Sequence, residues 1–408
     1  MKFDDYRISP KIKAELKILG FNKPTDIQFK AIQPILNGED VLAIAQTGTG
    51  KTAAFVIPIL EVLDSKLRKK KAEGVSCLVL VPTRELAIQI LDVFNTIGKD
   101  LHVVCASIHG GVEQDPQIKS LNKGVDVLVA TPGRMFDLVS QGHLDMKKLE
   151  FLVLDEADHM LDLGFIKDIQ DLLKHIPKKR QTLFFSATIT KKIKTLAYSL
   201  VQNAIRIQIS PNNPVAKNID HAVAFIEMDD KRFFLENVLK TYPESKFVVF
   251  VRTKVRAERV MAAMKRVEVH TEFLHGGVEQ KERFGILDRF RKGENKILVT
   301  TDVAARGIDI PDVDYVINYD LPDVPENYVH RVGRTGRGNK RGQALAFCSE
   351  EEKTYLAEIE EYTGEDIEHY DIPKGEYFDI IADSEDASHD WKKLLRESNK
   401  EDGTEDEW

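Results

Sequence analysis

The segment Ile108-His-Gly-Gly-Val-Glu-Gln114 recurs as Leu274-His-Gly-Gly-Val-Glu-Gln280, six of seven residues matching at an offset of 166. Val81-Pro-Thr83 parallels Val251-Arg-Thr253, and Val129-Ala-Thr131 parallels Val299-Thr-Thr301, both at an offset of 170. Three matches at nearly one spacing point to two copies of one folding unit. Each copy is far too long for a solenoid repeat. The chain therefore has to bury two similar cores.

Short apolar runs show what each copy builds. In the first they are Val41–Ala45, Cys77–Val81, Val103–Ile108, Val127–Ala130, Phe151–Asp155 and Thr182–Ser186. In the second they are Phe247–Val251, Thr271–Leu274, Ile297–Thr300, Tyr315–Asn318 and Ala344–Phe347. Near-continuous apolar strands separated by helix-like stretches indicate an α/β fold, a mostly parallel sheet with helices on both faces. Ser210-Pro-Asn-Asn-Pro-Val215 reads as a linker. The expected organisation is a first domain over 1–209, a linker over 210–217, a second domain over 218–372 and a tail over 373–408. Helix-like Glu350–Glu361 is expected to close the second domain.

The net charge of −8 is uneven. Residues 373–408 carry 12 acidic and 5 basic residues, hence −7, which leaves about −1 for the rest. A nearly neutral body permits a local basic groove, and the acidic tail is expected to be disordered. Three cysteines make no disulfide framework and read as buried thiols. No apolar run is long enough to span a membrane and no signal-like segment opens the chain, so a cytoplasmic protein is expected. The basic run Lys66–Lys71 reads as a solvated helix end. His102, His143, His159 and His175 lack metal-ligand spacing and read as structural.

Chemistry concentrates after the strands. Val41–Ala45 leads into Gln46, Thr47, Gly48, Thr49, Gly50, Lys51 and Thr52, followed by a helical pattern. A strand, a Gly-rich turn ending Gly-Lys-Thr and a helix make a P-loop. Gly48 and Gly50 let the backbone aim N–H groups at phosphate oxygens. Lys51 would meet the β/γ-phosphates, and the Thr52 hydroxyl would hold Mg²⁺. The pattern usually begins with Gly; Ala45 stands there, which requires a backbone conformation that tolerates a Cβ. Phe151-Leu-Val-Leu-Asp155-Glu156-Ala-Asp158 puts carboxylates at a strand's C-terminal end. Asp155 suits Mg²⁺ and Glu156 suits orienting or deprotonating a water.

Asp155-Glu-Ala-Asp158 resembles the name-giving motif of the DEAD-box RNA helicases, and the resemblance covers roughly residues 3–370. It implies two tandem RecA-like domains, ATP and Mg²⁺ as cofactors, and RNA bound through its backbone. Gly20–Gln28 looks like the family's Q motif, with Phe3 as its upstream aromatic. It implies that Phe21, Lys23 and Gln28 recognise adenine. Ser186-Ala-Thr188 resembles the motif that couples hydrolysis to strand separation, its hydroxyls bonding Asp158. Tyr328–Arg337 resembles the last motif, with His330 in coupling and Arg334 and Arg337 as arginine fingers on the γ-phosphate. Gly307 and Asp309 resemble ribose contacts.

The resemblance assigns RNA contacts to Pro82, Thr83, Arg84, Gly110, Gly111, Thr131, Gly133 and Arg134 in the first copy. In the second it assigns Arg252, Thr253, Gly276 and Thr301, with His275, Gln280, Arg283, Thr300 and Asp302 nearby. Such hydroxyls, glycine N–H groups and helix N-termini suit phosphates without reading bases. Gly164-Phe165 is expected within a helix that kinks one RNA strand. The implied activity is RNA-stimulated ATP hydrolysis with local unwinding of short duplexes. An ATP-gated RNA clamp and a DNA helicase of a related class remain open. The compact chain looks like the bacterial RhlE-like type. A monomer, and ribosomal or RNA-degradation proteins as partners, are compatible with it.

Overall fold

The computed structural model of the chain describes residues 2–46, 48–67, 74–209, 215, 218–275, 278–305, 310, 313–336 and 341–384. The chain divides after residue 210 into two compact units. Most of the linker segment, the end of the basic run at 68–73 and residues 385–408 lie outside the described residues.

The strands of the first unit are β1 Val41–Ala45, β2 Cys77–Leu80, β3 Cys105–Ile108, β4 Val127–Ala130, β5 Phe151–Leu154, β6 Gln181–Ser186 and β7 Ile205–Ile209. They form one sheet in the order β3-β4-β2-β5-β6-β1-β7, every described pairing parallel. Alternate residues of a strand face opposite sides. Val41, Ala43 and Ala45 thus enter one core, under helices Asp26–Leu36, Lys51–Leu67 and Arg84–Ile97. Leu42 and Ile44 enter the other, under Pro132–Ser140, Ile166–Leu172 and Lys191–Leu200. Burial on both faces is why these strands read as unbroken apolar runs.

The second unit has β8 Ile219–Phe225, β9 Phe247–Phe250, β10 Glu272–Leu274, β11 Ile297–Thr300, β12 Tyr315–Asn318, β13 Gly342–Cys348 and β14 Glu368–His369. Their order is β10-β11-β9-β12-β13-β8-β14, again with parallel pairings. Adding seven to each strand number of the first sheet gives the second, so the duplication extends to topology. It reaches the caps as well. Thr83 accepts the N–H of Leu86 at 3.3 Å, and Thr253 accepts that of Arg256 at 3.1 Å. These hydroxyls satisfy otherwise orphaned first-turn donors.

Several strands go beyond the sequence reading. β7, β8 and β14 lie at or near sheet edges and were not among the expected runs. Helix Lys374–Asp383 replaces expected disorder at the start of the tail. Its Tyr377 packs against Phe234 with the rings tilted by 51° and their centroids 4.7 Å apart, and donates a hydrogen bond of 2.9 Å to Asp230. Tyr377, Ile380 and Ile381 pack on the core of the second unit, so apolar burial outweighs the segment's acidic composition. Glu350–Glu361 is a 3₁₀ turn at Glu350–Glu352 followed by the helix Lys353–Thr363.

Gly342, the first residue of β13, has no room for a side chain. A Cβ there would sit 2.3 Å from the Gly336 nitrogen and 2.5 Å from the Thr335 hydroxyl. Overpacking against backbone costs about 1–3 kcal/mol. Gly342→Ala should therefore lower the urea midpoint of the second unit's unfolding transition; an unchanged midpoint would show that the run Arg334–Gly336 is free to shift.

Candidate nucleotide and nucleic-acid sites

All seven C-terminal strand ends of the first sheet lie along one edge, where parallel α/β sheets present ligand chemistry. β1, β6 and β5 occupy one part of it, and β2, β4 and β3 the other.

At the first part, Ala45 is the last residue of β1, paired with Ile209, and extended backbone accommodates its Cβ. The turn follows, with Gly48 at φ +80° and Gly50 at φ +91°, values that disfavour any side chain. The Thr49 hydroxyl donates to the Gln46 carbonyl at 2.8 Å. Lys51 opens the helix and is buried, yet its ammonium has no hydrogen-bond partner among the described residues. A buried unpaired ammonium is costly unless an anion arrives. Thr52 is half-buried beside it.

Asp155 follows β5 and is buried. Burial pushes its carboxyl up to about 6; Glu156 and Asp158 add to the rise, and the Lys51 ammonium opposes it. Glu156 sits at φ +51°, ψ +50°, the left-handed region, at the start of helix Ala157–Asp162. A non-glycine residue held there stores strain of about 1–3 kcal/mol, and such strain clusters at functional sites. The His159 Nδ1 lies 3.6 Å from the Glu156 carboxylate, too far for a hydrogen bond.

Among the described residues no group of three metal-ligating side chains is assembled. Mg²⁺ is usually held by one or two carboxylates together with substrate phosphates and water. An oxygen set of Asp155 and Thr52 beside an unpaired ammonium fits Mg²⁺ with a polyphosphate.

Asp158 connects β5 to β6. Its Oδ2 accepts the N–H groups of Ala187 at 3.1 Å and Thr188 at 3.0 Å. The expected bonds came from hydroxyls; the backbone makes them instead, and the buried Ser186 hydroxyl has no partner. Gln28 is held within the chain. Its amide donates to the Gly50 carbonyl at 3.2 Å and accepts from the Thr25 N–H at 3.0 Å, so it braces the P-loop from behind. Phe21 packs edge-on to Phe3 at 6.2 Å, and Lys23 is exposed.

At the other part, three motifs meet. The Arg84 guanidinium lies against Gly110 and Gly111: a Cβ on Gly111 would fall 1.7 Å from its Nη1, and φ there is +75°. Arg134 donates to the Val112 carbonyl at 2.9 Å. The Gln117 amide clamps both backbone groups of His109 at 3.1 Å, setting the start of this loop. Thr83 and Thr131 precede the helices Arg84–Ile97 and Pro132–Ser140, whose N-terminal ends favour anions. Pro82 is buried beside them and Gly133 is exposed. Burial lowers the pKa of His109, and Arg84 and Arg134 contribute to the lowering. Gly164, at φ +84°, is not inside a helix; it breaks the path between Ala157–Asp162 and Ile166–Leu172.

In the second unit, Arg334 is buried and donates to the His330 carbonyl at 3.2 Å. Arg331, which the sequence reading gave no role, is the buried pillar of this motif. It bonds Asp302 through two nitrogens at 2.6 and 2.7 Å, and also the Asp320 carbonyl at 2.7 Å. Asp302 is therefore a structural partner rather than a free groove residue. The Arg252 guanidinium is 3.3 Å from Glu352 and lies over the Tyr355 ring. Thr301 is half-buried, and its carbonyl accepts the N–H groups of Ala304 and Ala305. Thr47, Gly276, Gly307, Asp309 and Arg337 lie outside the described residues.

A parallel sheet with a Gly-Lys-Thr turn after its first strand and an acidic pair after a central one defines a P-loop nucleotide-binding protein, here with its fold duplicated. The sequence comparisons narrow the class. A DEAD/DEAH box helicase family model matches residues 25–196, and a helicase conserved C-terminal domain model matches 230–339. The ATP-dependent RNA helicase DbpA of Bacillus subtilis is 37% identical over 98% of this chain and 83% of its own. RhlB of Shewanella woodyi is 41% identical over 88% of this chain and 83% of its own. The chain belongs to the DEAD-box family of ATP-dependent RNA helicases. These relatives carry the family rather than the RhlE-like type.

Solved structures agree. S. cerevisiae Dbp5 bound to RNA and ADP BeF3 matches with a TM-score of 0.82 at 31% identity, covering 93% of this chain and 97% of that one. The DEAD-box helicase Mss116 bound to ssRNA and UDP-BeF matches with a TM-score of 0.82 at 28% identity, covering 93% of this chain and 81% of that one.

The Asp158 bridge carries a local prediction. Hydrogen bonds to a carboxylate contribute about 1.5–3 kcal/mol each. Asp158→Ala should speed amide hydrogen exchange at Ala187 and Thr188 by at least about tenfold, leaving the P-loop amides unchanged. Unaltered exchange there would mean that the β6 loop is held by other contacts.

Proposed function

We propose that this chain hydrolyses ATP in response to single-stranded RNA and uses the cycle to separate short RNA duplexes. The observation supporting it best is the division of the first sheet's edge. A buried ammonium without a hydrogen-bond partner among the described residues opens the helix that follows β1. A cluster of Arg84, Gly111 and Arg134 stands at the ends of β2, β3 and β4. The first suits a polyphosphate, the second a sugar–phosphate backbone. The bound nucleotide and RNA of Dbp5 and Mss116 accord with this reading.

In this reading Lys51 and the P-loop N–H groups bind the phosphates, and Thr52 and Asp155 hold Mg²⁺. The ion neutralises phosphate charge when bound. Glu156 orients the attacking water and takes its proton. Asp158 passes the state of the nucleotide site to Ala187 and Thr188. The resemblance assigns Arg334 and Arg337 to the γ-phosphate, and Gly307 and Asp309 to the ribose. Phosphate contacts make RNA binding independent of sequence and sensitive to salt, and 2′-OH contacts favour RNA over DNA. A cytoplasmic location and a monomeric state belong to the same reading.

ATP turnover measured with single-stranded RNA, single-stranded DNA and neither, beside displacement of a short duplex, tests it. Stimulation by RNA alone with displacement is expected. Equal stimulation by DNA would remove the RNA assignment, and stimulation without displacement would favour the clamp.

In the same assay Lys51→Ala should abolish ATP binding, and Glu156→Gln should bind ATP and RNA without turnover. Arg334→Ala should keep nucleotide affinity and lose about 10³-fold or more in rate, the usual range for an arginine finger. Near-normal turnover in Arg334→Ala would refute its assignment.

A further inference from the structure

The duplicated fold places a second lysine where the first unit keeps Lys51. Lys51 stands six residues beyond the end of β1 and opens the helix Lys51–Leu67. Lys231 stands six residues beyond the end of β8, the counterpart strand, and opens the helix Lys231–Thr241. Both side chains are buried. Their partners differ completely. The Lys51 ammonium has no hydrogen-bond partner among the described residues, whereas that of Lys231 has three.

Lys231 donates to the Tyr319 carbonyl at 2.8 Å and the Phe347 carbonyl at 2.9 Å, and pairs with the Glu352 carboxylate. Tyr319 follows β12 and Phe347 lies in β13, the counterparts of β5 and β6 beside the P-loop. Glu352 is fully buried. It accepts the N–H of Leu321 at 3.1 Å, and the N–H and hydroxyl of Ser349 at 3.1 and 3.2 Å. The Arg252 guanidinium is 3.3 Å away. An ammonium, a guanidinium, two backbone N–H groups and a hydroxyl surround the Glu352 carboxylate and make the donor set of a phosphate site, with the buried Asp320 carboxylate 4.0 Å from the same ammonium. Burial lowers the pKa of Lys231, and Glu352 counters that shift.

We propose that Glu352 is a built-in phosphate surrogate: in the second unit its carboxylate fills the anion position that the first unit leaves to nucleotide. It ties Lys231 after β8, Arg252 after β9, Leu321 after β12 and Ser349 after β13 into one cluster. The cradle takes small oxyanions as its ligand class, and the Glu352 carboxylate occupies it.

Anion rescue tests this in the full-length chain. Glu352→Ala leaves two cations, Lys231 and Arg252, and three neutral donors, the Leu321 N–H and the N–H and hydroxyl of Ser349, without their carboxylate. Losing one partner of a buried pair should lower the thermal midpoint by on the order of 10 °C. Formate, acetate or inorganic phosphate should recover at least about half of that loss, against chloride at matched ionic strength. The same anions should move the wild type and the double variant Lys231→Met/Glu352→Ala far less, which separates site binding from general salt stabilisation. If Glu352→Ala does not fold in chloride, refolding in phosphate should recover it. Equal oxyanion responses in the three proteins, or no recovery in any oxyanion, would overturn the proposal.

Discussion

Every strand of each sheet runs the same way, and this places all the C-terminal strand ends on one edge. The chemistry of the chain depends on that arrangement. Backbone N–H groups left free at helix starts, glycine turns and short polar loops all collect there, next to a core that is apolar on both faces. In the first unit the edge holds an unpaired ammonium at β1, carboxylates at β5 and two arginines at β2 and β4. Asp158 connects β5 to β6 through the N–H groups of Ala187 and Thr188.

The two units solve the same geometric problem in opposite ways. The first leaves its lysine unsatisfied and holds Glu156 in a strained backbone conformation. It is therefore prepared for a ligand that relieves the buried charge. The second satisfies its lysine internally with Glu352 and locks its last motif through Arg331 and Asp302. In the second unit the chain itself supplies the anion at Lys231, through Glu352.

Much of this was legible in the sequence because periodicity and spacing carry it. The repeated His-Gly-Gly-Val-Glu-Gln segment marked β3 and β10 as counterparts, and the matching strand orders follow from that duplication. The Gly-Lys-Thr turn and Asp155–Asp158 were recognisable because their neighbours in sequence are their neighbours in space. What escaped depends on distant residues. Arg331–Asp302 and Lys231–Glu352 join side chains 29 and 121 positions apart, and no local pattern announces them. β7 does alternate apolar and polar residues over Ile205–Ile209, a signal that was available. β14 has two residues and exists only through its pairing with β8. Helix Lys374–Asp383 was hidden by its acidic composition, since the contacts of Tyr377 with Asp230 and Glu227 that hold it are tertiary. The left-handed Glu156 follows from the sharp turn between β5 and its helix, which residue types do not reveal.

The central claim is that nucleotide at Lys51 and RNA at the Arg84 cluster belong to one coupled system. The affinity of single-stranded RNA, measured with and without a non-hydrolysable ATP analogue at fixed salt, tests it most directly. Linkage between two sites of this kind is typically 5–150-fold. The account predicts that the analogue tightens RNA binding by about tenfold or more, and that Lys51→Ala removes the effect. Equal RNA affinity with and without the analogue would contradict it.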